Sequence, residues 1–231
     1  MQINDIDIKA FNAKQISATY DPPDLALNYE ILSDTVSPVI NEDETNFGAL
    51  TLTICFYNKN RDEALRQISL FMMHVREPCD ICIDNHKGTF RGFLKNVEYI
   101  KSASKKKYAI EIIFDGYFFD EKVTHTMTSQ EMTINVAGSR KTPCTLQVTP
   151  TQDIAEFTIA GFTNTDIVLK DLKAGEEIEF DGSLCIINQN ENRDFSKNIF
   201  YEFPHLSPGK TTIKISSLLA KVAFEYCPRW L

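Results

Sequence analysis

The sequence predicts a mostly β protein with one helix, divided into an α+β domain over residues 1–137 and an all-β sandwich over residues 138–231. Three observations carry this. Apolar residues alternate with polar ones over much of the chain, as in Leu50, Leu52, Ile54 and Phe56 with Thr51 and Thr53 between them, which is the period of a strand with one buried face. A single stretch, Ala64 to Val75, carries the helical period instead. From Cys144 onward, about eight short alternating runs are separated by turn residues, the pattern of a sandwich.

In chain order, Ile3 to Phe11 alternates loosely and reads as a strand. Asp21 to Asn46 has no clear period. It contains Pro22, Pro23, Pro38 and the acidic run Glu42-Asp43-Glu44, and reads as loop, extended arm or irregular edge strand. Ala49 to Tyr57 is a strand. The helix starts at Asn60, an N-cap residue followed three positions later by Glu63, and buries a stripe of Ala64, Leu65, Ile68, Phe71, Met72 and Val75. Pro78, which has no N–H to give, ends it. Cys79, Ile81 and Ile83 then alternate with Asp80 and Asp84. A turn at Asn85-His86-Lys87-Gly88 leads to a strand from Thr89 to Ile100. Tyr108 to Phe119 pairs back on it, so the two form a long hairpin with a lysine-rich tip at Lys101 to Lys107. Gly138, Arg140 and Pro143 mark the expected boundary, and the sandwich strands follow.

Composition bounds the function. The chain has 231 residues, 43% of them hydrophobic and 24% charged, which is ordinary globular usage and excludes a disordered or collagen-like chain. The net charge of −8 disfavours general binding to a phosphate backbone. Divided at Gly138, the acidity falls mainly in the first part: 14 basic and 20 acidic side chains before it, a net of −6, against 10 and 12 after it, a net of −2. Neither a signal-like start nor a run of about 20 apolar residues is present, so neither secretion nor membrane insertion is expected. Six cysteines at 55, 79, 82, 144, 185 and 227 sit mostly in apolar runs and read as buried, reduced thiols of a cytoplasmic product.

The search for chemistry returns little. Ser207-Pro208-Gly209-Lys210-Thr211 imitates the end of a phosphate-binding loop, but Pro204 stands where that loop needs its first glycine and a strand pattern follows where it needs a helix. Cys79 and Cys82, with His74 and His86 nearby, are a weak zinc alternative: residues three apart on a strand point to opposite faces. Gly-x-Ser-x-Gly, His-Glu-x-x-His and Gly-x-Gly are all absent, so no catalytic set and no cofactor is expected. The basic tip is the largest local charge anomaly. It serves either as a lysine-protected hairpin end or as an electrostatic contact to a neighbouring subunit. The candidate assembly contacts are therefore Lys101, Lys105, Lys106 and Lys107 on one copy against Glu42, Asp43 and Glu44 on the next.

Several segments together resemble one family. They are Gly138, Pro143, Gly161-Phe162, the stretch Asp171 to Glu176, Asp181-Gly182, the run Phe203-Pro204-His205-Leu206-Ser207-Pro208-Gly209-Lys210, and the end Tyr226-Cys227-Pro228-Arg229-Trp230-Leu231. They resemble the distal tail protein of siphophages, a virion structural protein of phage or prophage origin. The resemblance is most specific over 138–231 and weak over 1–48, where Ser33 to Asn46 replaces a Gly-Arg-rich turn of the family.

The resemblance implies an N-terminal belt domain that closes a homo-hexameric ring and a galectin-like C-terminal sandwich. It places the ring at the distal end of the tail after assembly in the host cytoplasm. There the ring would join the tail tube protein to baseplate, tail-associated or receptor-binding proteins and surround the DNA exit channel. Like charges repel, so an acidic ring wall would let DNA pass without holding it. The alternative is a carbohydrate-binding or host-adhesion module using the sandwich, and the one tryptophan, Trp230, is a poor platform for it so near the terminus.

Overall fold

The computed structural model describes residues 1–23, 47–84, 86–100 and 107–230, together with the backbone of Tyr29–Glu30 and Val39–Ile40. Among the described residues the chain is mostly β with a single α-helix, and it divides into two compact units, Met1–Phe118 and Phe119–Trp230.

The first unit contains β1 (Gln2–Ile3), β2 (Ile6–Asp7), β3 (Ala13–Asp21), β4 (Tyr29–Glu30), β5 (Val39–Ile40), β6 (Gly48–Tyr57), α1 (Arg61–Met73), β7 (Cys79–Cys82), β8 (Thr89–Ile100) and β9 (Lys107–Phe119). Its main sheet runs in the order β2-β1-β7-β8-β9-β6-β3, while β4 pairs only with β5. On β6, Leu50, Leu52, Ile54 and Phe56 face the core; on β9, Ile110, Ile112, Phe114 and Phe118 do the same, all buried. The helix is capped as expected, Asn60 Oδ1 accepting from Glu63 N at 2.9 Å. It buries Ala64, Ile68 and Phe71, spaced four and three apart along one stripe, and the Phe71 ring meets the edges of Phe56 and Phe11. Gly116 sits where any Cβ would lie 2.0 Å from the Arg91 carbonyl oxygen, so β8 and β9 approach closely only because it is glycine.

The second unit contains β10 (Val123–Thr126), β11 (Glu131–Val136), β12 (Thr142–Pro150), β13 (Ile154–Ala160), β14 (Ile167–Leu172), β15 (Ile178–Asp181), β16 (Ile186–Asn188), β17 (Asn198–Ile199), β18 (His205–Leu206), β19 (Gly209–Ile215), β20 (Ala220–Tyr226) and β21 (Arg229–Trp230). One sheet runs β10-β20-β12-β15-β16 and the other β11-β19-β13-β14-β17. Alternate residues of both sheets fill one core, among them Leu146, Val148, Phe157, Leu169, Phe180, Val222 and Phe224. Gly161, with φ of 99°, brings its backbone against β19, and a Cβ there would lie 2.4 Å from the Thr212 carbonyl oxygen.

The structure departs from several expectations, each for a local reason. The strand read over Ile3 to Phe11 is a two-residue hairpin followed by a 3-10 turn over Ile8–Phe11; Asn4 and Asp5, both left-handed, reverse the chain between β1 and β2. The long strand β3 escapes the alternation test because it is an exposed edge strand and a bulge between Gln15 and Ser17 breaks its phase. The compact units divide at Phe119, ahead of the Gly138 turn. The two strands between these points belong to the sandwich, β10 pairing with β20 and β11 with β19. Divided there, the charge is even: residues 1–118 carry 13 basic and 17 acidic side chains and residues 119–231 carry 11 and 15, a net of −4 each. The first unit therefore has no excess of acidity. No disulfide joins the six cysteines, and three of them are buried: Cys55, Cys79 and Cys144. Cys185 is in an exposed turn, with φ of 55°, before the short β16.

Candidate functional site

Lys101, Lys105, Lys106, Glu42, Asp43 and Glu44 lie outside the described residues. Lys107 is described. It is exposed at the start of β9, and its Nζ stands 5.7 Å from the ring centroid of Tyr57, across the β6–β9 pairing. The Cys55 thiol beside Tyr57 raises the pKa of its hydroxyl above the ordinary value, through a hydrogen bond and its charge.

Cys79 and Cys82 diverge as strand geometry requires. Cys79 is buried in the core and Cys82 is exposed, its sulfur 3.6 Å from the Thr89 hydroxyl. Burial is the main cause that pushes the Cys79 thiol up to about 11, with the Asp80 charge adding to it, so its thiolate is disfavoured as ligand or nucleophile. Among the described residues no group of three or more His, Cys, Asp and Glu side chains has metal-binding geometry. The imitation phosphate loop runs directly into β19, so Gly209 and Lys210 head a strand.

What the structure does bring together is apolar surface on the first unit. The main sheet packs one face on its core and leaves the other half-exposed. There Phe47 stacks on Phe93 at 5.4 Å and on Tyr117 at 6.0 Å between centroids, joining the ends of β6, β8 and β9. The rings are flanked by ion pairs, Lys95 with Asp115 at 3.0 Å and Arg91 with Asp80 through two hydrogen bonds. Helix α1 adds a second patch: Leu65, expected in the core, is exposed, as are Leu70 and Met73. Single exposed apolar residues are ordinary; a stacked cluster of three half-exposed rings is less so. Phase could have revealed the cluster, since Phe93 and Tyr117 lie out of step with the core series Phe90, Leu94 and Ile110, Ile112, Phe114.

The second unit also exposes apolar side chains, among them Leu184, Phe195, Tyr201 and Leu218, and it carries a buried polar cluster. Arg193, its side chain 2% exposed, donates to Glu176 Oε2 at 3.1 Å, to Asn198 Oδ1 at 3.1 Å and to the Lys170 carbonyl at 2.8 Å. At the chain end, Trp230 Nε1 donates to Asp120 Oδ2 at 2.6 Å and Arg229 N to Thr142 Oγ1 at 3.2 Å. The terminal aromatic is thus an anchor of the unit's own backbone.

Comparison with known proteins supplies the remaining findings. Residues 137–230 match the family of the siphovirus-type tail component, C-terminal domain, in line with the resemblance read over 138–231. No curated protein sequence matches the chain. Among solved structures, it is similar to the Dit (gp 19.1) protein of phage SPP1, described as a paradigm of the hub adsorption apparatus in phages that infect Gram-positive bacteria. The identity is 9%, the TM-score 0.75, and the likeness covers 99% of this chain and 98% of that one. A chain of the phage P2 baseplate in its activated conformation is similar with 9% identity and a TM-score of 0.52, over 96% of this chain and 92% of that one. These likenesses extend the shared fold across both units.

Proposed function

We propose that the chain is a structural protein of a siphophage tail, the distal hub that joins the tail tube to the baseplate or receptor-binding apparatus. The observation that carries this reading is the two-unit fold, which follows the SPP1 hub protein along nearly its whole length and includes a sandwich matching the tail-component family. The first unit closes a ring of six copies around the DNA exit channel, using the aromatic cluster and the outer face of α1. The lysine-rich hairpin tip and the acidic run Glu42 to Glu44 meet between neighbours. The second unit docks the baseplate or receptor-binding proteins. Such a protein performs no catalysis and holds no cofactor. Its evenly spread negative charge leaves DNA unbound as it passes.

Charge reversal tests the contact and the ring together. Lys105→Glu, Lys106→Glu and Lys107→Glu in one chain should lower the oligomer's mass by light scattering, with the loss deepening as salt is lowered. An unchanged mass would remove the electrostatic contact.

A further inference from the structure

A cleft of about 460 Å³ opens in the second unit between the turn after β14 and the loop before β17. Its volume is that of a small-molecule site. One wall is Asp171 to Glu176 and the other Asn190 to Lys197, with Arg193 lining it from a nearly buried position. Both walls are held by their own hydrogen bonds. Lys173 N and Ala174 N donate to Glu176 and Asp153, Asn192 N to Asn190, and Ser196 N to Asp194. A ligand would therefore meet preformed groups and lose little to ordering them.

The charges select the ligand class. Each of the three cations lining the cleft already has a carboxylate: Arg193 has Glu176 at 3.1 Å, Lys197 has Asp171 at 3.3 Å, and Lys173 has Asp153 at 2.8 Å. An anion or cation entering the cleft would compete with these pairs. A hydroxyl brings no charge and both donates and accepts, so it can use the spare carboxylate lone pairs, the side-chain amides of Asn190 and Asn192, and ammonium protons together. Phe195, 58% exposed, lies in the chain between the lining residues Asp194 and Lys197. We propose that this cleft binds a neutral, hydroxyl-rich ligand, a saccharide. The proposal is independent of ring formation.

The test is saturation-transfer NMR on the full chain with glucose, galactose, rhamnose, N-acetylglucosamine and their disaccharides, and with sialic acid and inorganic phosphate as charged controls. At least one neutral saccharide should receive saturation. Asn192→Ala, which leaves the backbone hydrogen bond from Asn192 N to Asn190 Oδ1 in place, should weaken that binding about five- to tenfold, the loss of one hydrogen bond. Ala174→Trp, on an exposed wall position, should abolish it. Circular dichroism of each variant checks the fold, and Asn192→Ala suffices should Ala174→Trp not fold. Absence of binding by every neutral saccharide, binding of the charged controls alone, or binding that survives both substitutions would overturn the proposal.

Discussion

The first unit and the second solve the same problem, how to cover a sheet, in different ways. In the second, two sheets cover each other, and each strand gives its inward side chains to one closed core. In the first, one helix covers one face of a single sheet, and the far face keeps Phe47, Phe93 and Tyr117 half-exposed. The sandwich is complete as one chain. The first unit carries surface that another copy, or another protein, would complete. The buried Arg193 cluster accompanies the sandwich, and a half-exposed stacked aromatic cluster the first unit.

The largest expected effects fall in the two cores and test whether the units are separately closed. Arg193→Ala should cost the second unit about 3–5 kcal/mol, because it leaves the nearly buried Glu176 carboxylate without its cation and Asn198 Oδ1 without its donor. Denaturant unfolding followed by amide exchange reads it, and a loss spread equally over residues 1–118 would break the comparison. Phe114→Ala should cost the first unit a similar amount, about 3–5 kcal/mol, by opening a cavity beneath the sheet. Exchange protection should fall in β6 and β9 and stay in β12 and β20.

A smaller effect sharpens the account of the helix. Asn60→Ala should destabilise the first unit by about 1 kcal/mol through loss of the cap on Glu63 N, read as a lower denaturation midpoint. Phe93→Ser should cost about 1 kcal/mol, through loss of the stack on Phe47, and lower the mass of any self-assembled species. A large stability loss with unchanged assembly would make the cluster a part of the fold alone. The smallest effect is electrostatic. Hydrogen bonds from Lys173 and the Ala174 N–H hold the Asp153 carboxyl below its ordinary pKa, and the Ser196 N–H does so for Asp194. Their folded-state values lie below the unfolded ones, so their small contribution is complete above the unfolded pKa, about 3.9, and is lost as pH falls through the folded one. Carboxyl NMR titration should show both midpoints below that reference.

Legibility followed burial. Strands with one face in a core, such as β6 and β20, announce themselves by alternation because water and core demand opposite side chains at successive positions. The helix was readable from Asn60, Glu63 and Pro78, although Leu65 satisfied the helical spacing while remaining exposed: spacing constrains the stripe and not its width. Strand β3 was not readable, since an edge strand with a bulge has no strict phase to keep. The sandwich's extra strands before Gly138 were not legible, since β10 and β11 are short and only their pairing with β20 and β19 assigns them to the second unit. Arg193 gave no local signal. Its partners, Glu176, Asn198 and the Lys170 carbonyl, are brought to it by the pairing of β14 with β17 and by the turn before β15.

The central claim is that the first unit drives assembly into a ring. Negative-stain electron microscopy of the purified full chain at high concentration tests it most directly. Six-fold rings that disperse with Phe93→Ser, while the fold is retained, are the predicted result; separate single copies at every concentration would contradict it.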